Sequence, residues 1–277
     1  MKDYQKPFEE MPKKDYRQPF EEIKKLVEKQ NYIEASDQLE LFLEEIEKDY
    51  QTQKGLSFSF NHILEVYEYE YFKKPQTQIV HTDLNISAFY RFYGFVLMRL
   101  NLFTDAIKAY QNALEWNPVD LDALLQLVEL YKRTEQLEKV KEYSFLCYDL
   151  CCTRATLAHF YRGLGFYYLE NQKADIAIAL YTYSNIYFET KQAREELGYL
   201  EQALNQPLKN YTIKQLQEIL KQNQIPVGPN ADTIGITYRV GQLELEAGNI
   251  ENAKDCFAMV YDITMDKEVK ELLEKLQ

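Results

Sequence analysis

Apolar residues recur every three or four positions through most of this chain, and the polar residues between them leave one face of each segment suited to water. The clearest stretch is 87–118. Tyr90, Tyr93, Gly94 and Leu97 mark one face of a first segment, and Ala106, Tyr110 and Ala113 mark one face of a second. This spacing predicts two helices, the first ending near Leu100 and the second starting at Phe103. Asn101 stands at the joint, where a residue tolerant of left-handed backbone is useful. Gly94 and Ala106 are small enough to let the two helices approach, and the large residues around them fill the groove between. Pro118 cannot continue the second helix and turns the chain onward. A helical pair of this kind cannot bury both its faces alone, so the pattern implies neighbours.

Related units follow. Tyr161, Leu164, Gly165, Tyr168, Ala177, Tyr181 and Ser184 repeat the same offsets, and Gly241, Ala253 and Phe257 repeat them around a Gly248–Asn249 turn. Leu121–Arg133 and Gln136–Leu150 make a unit that keeps Leu124, Leu127 and Tyr131 but has Val128 where glycine is expected. Two periods of about 34 residues, plus a small insertion, separate Gly94 from Gly165. Glu22–Gln30 and Tyr32–Tyr50 predict an earlier pair, with Ala35 as its small residue. Leu56–Phe72 predicts a further helix dense in aromatic residues and without an evident partner, and Lys73–Asp83, with Pro75, predicts a loop. Lys191–Asn205 and Thr212–Gln222 predict a divergent pair interrupted by Pro207. Ile225–Asp232 reads as a boundary loop and Asp266–Leu276 as a capping helix. The chain thus divides into a mobile arm over residues 1–15, divergent helical repeats over 16–83, and a regular array over 84–277.

The arm contains an imperfect duplication: KDYQKPFEE at Lys2–Glu10 is followed by KDYRQPFEE at Lys14–Glu22. The second copy leads into a helix, with Pro19 in its first turn and Glu21 and Glu22 near the positive end of the helix dipole. The first copy has no apolar periodicity after it. It is therefore read as a free arm in preference to a short docking segment.

The series Tyr90, Tyr93, Gly94, Leu97, Ala106, Tyr110, Ala113 and Pro118 resembles the tetratricopeptide repeat (TPR), whose signature is W-x₂-L-G-x₂-Y, then A-x₃-F, then A and P. The resemblance implies an all-α, right-handed α-solenoid of antiparallel helix pairs whose first helices line a concave groove. Laid on this sequence, it places Arg91, Phe95, Arg99, Gln126, Arg162, Phe166, Tyr238 and Arg239 in a peptide-binding groove. Arg91 and Arg162 fall at equivalent positions, as do Phe95 and Phe166. Guanidinium forks suit carboxylates and backbone carbonyls; the alternative is that these arginines pair internally with Glu129, Glu170 and other acids of the chain. Phe95 stands where the two-carboxylate clamp of chaperone-binding TPRs wants Asn, which argues against that ligand.

Charge sharpens the picture. The 277-residue chain has a formal net charge of −12 and no Lys/Arg cluster of the kind that phosphate backbones require, so nucleic acid is not expected as a partner. There is no run of apolar residues long enough to span a membrane and no apolar leader at the start, which points to a cytoplasmic protein with reduced thiols. The 23 Tyr and 15 Phe suit core and inter-repeat packing. P-loop, G-x-S-x-G, H-E-x-x-H and EF-hand motifs are lacking, and His62, His81 and His159 lie in no catalytic context. Cys147 and Cys151 are four apart on one helix face with Cys152 and His159 following, yet Cys147 takes the place of a small buried TPR residue, so the thiols read as core and not as zinc ligands. No catalytic residue, metal or cofactor is expected. The reading is a non-catalytic TPR scaffold that binds a protein or peptide. The alternatives are a peptide-sensing regulatory module and a homo-oligomeric structural protein, a homodimer being suggested by the aromatic surface of Leu56–Phe72.

Overall fold

The computed structural model describes residues 14–276 except 52, 56, 77 and 206. The arm placed at residues 1–15 therefore lies outside the described residues, apart from Lys14 and Asp15. Fourteen helices are described, with a single two-residue parallel strand pair, Ser57–Phe58 with Val80–His81. The helices pair in antiparallel fashion: α1 (Arg17–Glu28) with α2 (Tyr32–Tyr50), α4 (Ile86–Arg99) with α5 (Phe103–Trp116), α6 (Leu121–Arg133) with α7 (Leu137–Tyr148), α8 (Arg154–Glu170) with α9 (Ala174–Tyr187), and α12 (Ala231–Glu246) with α13 (Ile250–Thr264). Successive pairs stack, α2 on α4, α5 on α6 and α7 on α8. One buried core runs unbroken from Tyr16 to Ile225. This is an all-α, TPR-like solenoid.

Local chemistry explains the units. A non-glycine residue with positive φ joins the helices of four pairs: Gln30, Asn101, Glu135 and Gln172, with Gly248 doing so in the fifth. Asn85, Asp120 and Thr153 cap α4, α6 and α8 through side-chain oxygens that accept from Ala88, Ala123 and Thr156 N–H. At Gly94 an added Cβ would lie 2.6 Å from the Tyr110 ring, and at Gly241 it would lie 2.9 Å from Phe257. The glycines are there because the partner helix leaves no room.

The N-terminal pair is longer than the sequence pattern suggests: α1 begins at Arg17, with Pro19 in its first turn, where no intrahelical N–H partner is needed. Tyr16 is buried against Phe42 and donates to Asp49, while Lys14 pairs with Glu45. The helix predicted over Leu56–Phe72 is shorter. Chain pairing through Ser57–Phe58 holds the start extended, and α3 (Ile63–Lys73) begins only after a capping box made by His62 and Glu65. The partner of α3 is far away in sequence. Leu64 packs with Val240 of α12 and Cys256 of α13, so the aromatic segment is covered by its own chain and leaves Tyr71 as its exposed large apolar residue.

That insertion changes the order of the array. Helices α10 (Lys191–Leu204) and α11 (Ile213–Gln222) both pack on α9. The α12–α13 pair then folds back onto α3 and onto the turn between α7 and α8. Asp149 O accepts from Thr233 Oγ1 at 2.6 Å, the Asp262 carboxylate accepts from Arg154 N at 2.7 Å, and Tyr161 Oη donates to Pro226 O at 3.1 Å. Residues 225–232, read from sequence as a boundary, are held to α8. Helix α14 (Lys267–Lys275) caps α13.

Glu68 of α3 sits in this junction, buried. Burial, then the charge of Glu65, raises its pKa well above the ordinary carboxyl range. The folded chain therefore holds a proton there that the unfolded chain releases, and the native contribution falls as pH rises above the ordinary carboxyl pKa. Glu68→Met should be more stable than the native chain by a margin that widens from about pH 5 upward, with a slope of at most about 1.4 kcal/mol per pH unit. Urea titrations at several pH values would measure it, and a margin independent of pH would show that Glu68 ionises freely.

Candidate functional site

Helices α4, α6 and α8 are the first helices of three successive units, and α6 packs on α8. Their shared face carries a groove of about 850 Å³ whose lining includes Phe92, Phe95, Met98, Arg99, Gln126 and Arg133. A second hollow of about 420 Å³ shares Leu125 and His159 with it and continues past Arg162 to Phe188. The floor is aromatic. Phe92 and Phe95 rings lie 6.3 Å apart, and Phe95 is 42% exposed.

The arginines differ in what they do. Arg91 is engaged within the fold. Its Nε lies 3.0 Å from Asp120 Oδ2 and its Nη1 lies 2.6 Å from Asp122 Oδ2, and Nη2 donates to Asn61 Oδ1 at 3.2 Å. Arg162 donates to Phe188 O at 3.2 Å, at the end of α9, where a cation suits the helix carbonyls. The internal pairing with acids considered from sequence thus occurs for Arg91, with Asp120 and Asp122, whereas Arg162 meets a backbone carbonyl. Glu129 is taken by others: His159 Nε2 and Lys132 Nζ each lie 2.7 Å from its Oε1. Burial alone would raise that carboxyl, but the His159 hydrogen bond and the Lys132 charge outweigh it and bring the pKa down to about 2.

Arg99 and Arg133 are free of ion pairs among the described residues. Arg99 lies over the Tyr32 ring at 5.2 Å and Arg133 over the Phe103 ring at 5.6 Å. Such stacking holds each guanidinium in place without neutralising it. The groove lining carries Arg91, Arg99, Arg133 and Asp122; Arg91 is matched by Asp120 and Asp122, so Arg99 and Arg133 are the guanidiniums it leaves without an ion pair among the described residues. A cationic trough on a chain of net charge −12 cannot come from average composition.

Of the residues assigned from sequence, Arg91, Phe95, Arg99 and Gln126 come together in the main groove and Arg162 lines its continuation. Phe166 is half-buried beside Lys132, whose Nζ lies 5.8 Å from the ring. Tyr238 and Arg239 are elsewhere, and this corrects the sequence reading. The Tyr238 ring packs against Phe257 at 5.6 Å, and Arg239 lines a separate hollow with Tyr67 and Tyr71. The fold-back of α12 onto α3 carries them out of the groove. Met98 and Arg133, which the repeat register also puts on the groove side, line it as well, together with Phe103 of α5. Arg133 falls at the C-terminal end of the same helix face as Gln126, which is the signal that finds it.

All four cysteines are buried and free. Burial pushes the Cys152 and Cys256 thiols up to about 12, and Cys147 and Cys151 are raised as well, so none is a ready nucleophile. Among the described residues no group of His, Cys, Asp or Glu is placed to hold a metal ion, and no helix is long and apolar enough to cross a membrane.

No protein-family model matches the chain, and no curated protein matches it in sequence. Among solved structures, a tetratricopeptide repeat protein from Parabacteroides merdae aligns over 94% of this chain and 98% of its own, at 14% identity and a TM-score of 0.38. YrrB, a TPR protein with an unusual peptide-binding site, aligns over 76% of this chain and 97% of its own, at 14% identity and a TM-score of 0.34.

Proposed function

We propose that this TPR-like scaffold is a non-catalytic, cytoplasmic peptide-binding protein whose ligand lies in the groove along α4, α6 and α8. The observation that carries the reading is the pair of arginines stacked on Tyr32 and Phe103, Arg99 and Arg133, in the same groove lining as the exposed Phe95 ring of a strongly acidic chain. Stacked guanidiniums offer forks to carboxylates, and an exposed aromatic floor rewards burial of an apolar side chain at roughly 25 cal/mol per Å². The matching ligand is a peptide with a large apolar residue next to acidic ones. Arg91 and Arg162 shape the walls and spend their hydrogen bonds inside the protein.

The test is selection of peptides from a display library on the full chain. Selected sequences should pair an aromatic or large aliphatic residue with acids. Phe95→Ser, at a largely exposed position, should weaken them at least tenfold, or about 1.4 kcal/mol, with the helical circular dichroism unchanged. Peptides that ignore Phe95→Ser and Arg133→Glu would move the binding site off the groove.

A further inference from the structure

The duplicated segment near the start of the chain matches the groove beside it. The second copy, Lys14–Glu22, shows how such a sequence docks. Its Phe20 ring lies 4.5 Å from Phe89, 5.2 Å from Phe92 and 5.8 Å from Phe42. Phe92 in turn faces Phe95, so the rings form a ladder that starts in the core at Phe42, passes through Phe20 and Phe92, and ends on the exposed Phe95. The last rung has an open side that faces the groove.

The first copy carries the same chemistry as the second. Phe8 corresponds to Phe20, and Glu9 and Glu10 correspond to Glu21 and Glu22. An aromatic residue followed by two acids is what the groove asks for: an apolar plate at Phe95 and two guanidiniums without ion pairs at Arg99 and Arg133. We propose that Lys2–Glu10 occupies the groove of its own chain, with Phe8 on Phe95 and the Glu9–Glu10 carboxylates toward Arg99 and Arg133. The inference rests on the groove being a peptide site. It makes the first copy an intramolecular ligand that an external peptide must displace.

Reach and concentration favour this occupant. The stretch from Phe8 to Asp15, fully extended, spans about 25 Å, and the chain enters α1 only one ring away from the groove-lining Phe92. A short tether gives an effective concentration of order millimolar, enough to fill a site whose intrinsic affinity is modest. Charge points the same way. The acids of the first copy would otherwise sit on a chain already at −12, and the groove is where the arginines gather.

A fluorescent peptide, MKDYQKPFEEMP, tests the proposal by anisotropy against two full-length proteins, the native chain and a Phe8→Ser/Glu9→Lys/Glu10→Lys variant. The variant should bind the peptide at least tenfold more tightly than the native chain, and adding Phe95→Ser to the variant should abolish binding. Equal binding by both proteins overturns the proposal, because the native groove is then open. Binding by neither also overturns it, and the display-selected peptides then decide separately whether the groove remains a peptide site. Sedimentation covers the last case: if the native chain self-associates and the variant does not, the segment docks on a second copy and the intramolecular proposal falls.

Discussion

Replacing Asp120 with alanine should lower stability by about 3–5 kcal/mol, the largest loss expected from any single carboxylate in the array. Asp120 is 1% exposed and sits where three parts of the chain meet. Its Oδ1 accepts from Ala123 N at 3.0 Å and caps α6, which by itself is worth about 1 kcal/mol. Its Oδ2 accepts from Ser87 Oγ of α4 at 2.8 Å and from Asn61 Nδ2 of the inserted segment at 3.0 Å, and faces Arg91 Nε at 3.0 Å. Alanine leaves those donors without their acceptor and Arg91 with the exposed Asp122 as its remaining carboxylate partner. Arg91→Ala should cost less, about 1.5–3 kcal/mol, because Ser87 and Asn61 still serve the carboxylate. Equilibrium urea denaturation of both variants gives the ranking. A loss below about 1 kcal/mol for Asp120→Ala would mean that the cap accounts for everything and the network holds nothing together.

That network also marks the limit of what the sequence discloses. Helix pairs, turns and close contacts are local, and they are legible: Tyr90, Gly94, Ala106 and Tyr110 announce a tight helical hairpin, and Asn101 its left-handed joint. Arg91 is legible as a residue on the groove side of α4. Its partner is not, because Asp120 reads as an ordinary helix cap and the pairing depends on how one repeat stacks on the next. Tyr238 and Arg239 show the same limit on a larger scale. Their register follows from Gly241 and Phe257, but nothing within 225–277 says which surface the α12–α13 pair will meet. That choice is made by α3, whose Leu64 is buried against Val240 and Cys256. One clue was present: Leu64 and Glu68 lie four residues apart, so an acid shares the buried face of α3, and such a face has to meet something large enough to close over it.

Gly94→Ala should destabilise the protein by about 1–3 kcal/mol, although alanine is worth about 1 kcal/mol more than glycine as a helix former. The added Cβ would stand 2.6 Å from one Tyr110 ring atom and 2.8 Å from two others. Tyr110 cannot step aside easily: it is 3% exposed and its hydroxyl contacts Met98 Sδ at 3.7 Å. The helices must therefore separate, and neighbouring contacts along α4 and α5 loosen with them. Gly165 holds the equivalent place in its own pair, but there the Cβ would lie 3.2 Å from Tyr181. A shift of a few tenths of an ångström relieves that contact, so the helix-propensity gain offsets it and Gly165→Ala should be close to neutral. Gly165→Leu, with three more carbons, still overpacks the same ring. Sequence alone treats the two glycines as interchangeable and ranks only the size of the newcomer. The geometry ranks the sites as well. In paired urea titrations Gly94→Ala should fall below Gly165→Ala by at least about 1 kcal/mol. Equal stabilities would mean that the tyrosine rings, and not the glycines, set the spacing of the helix pairs.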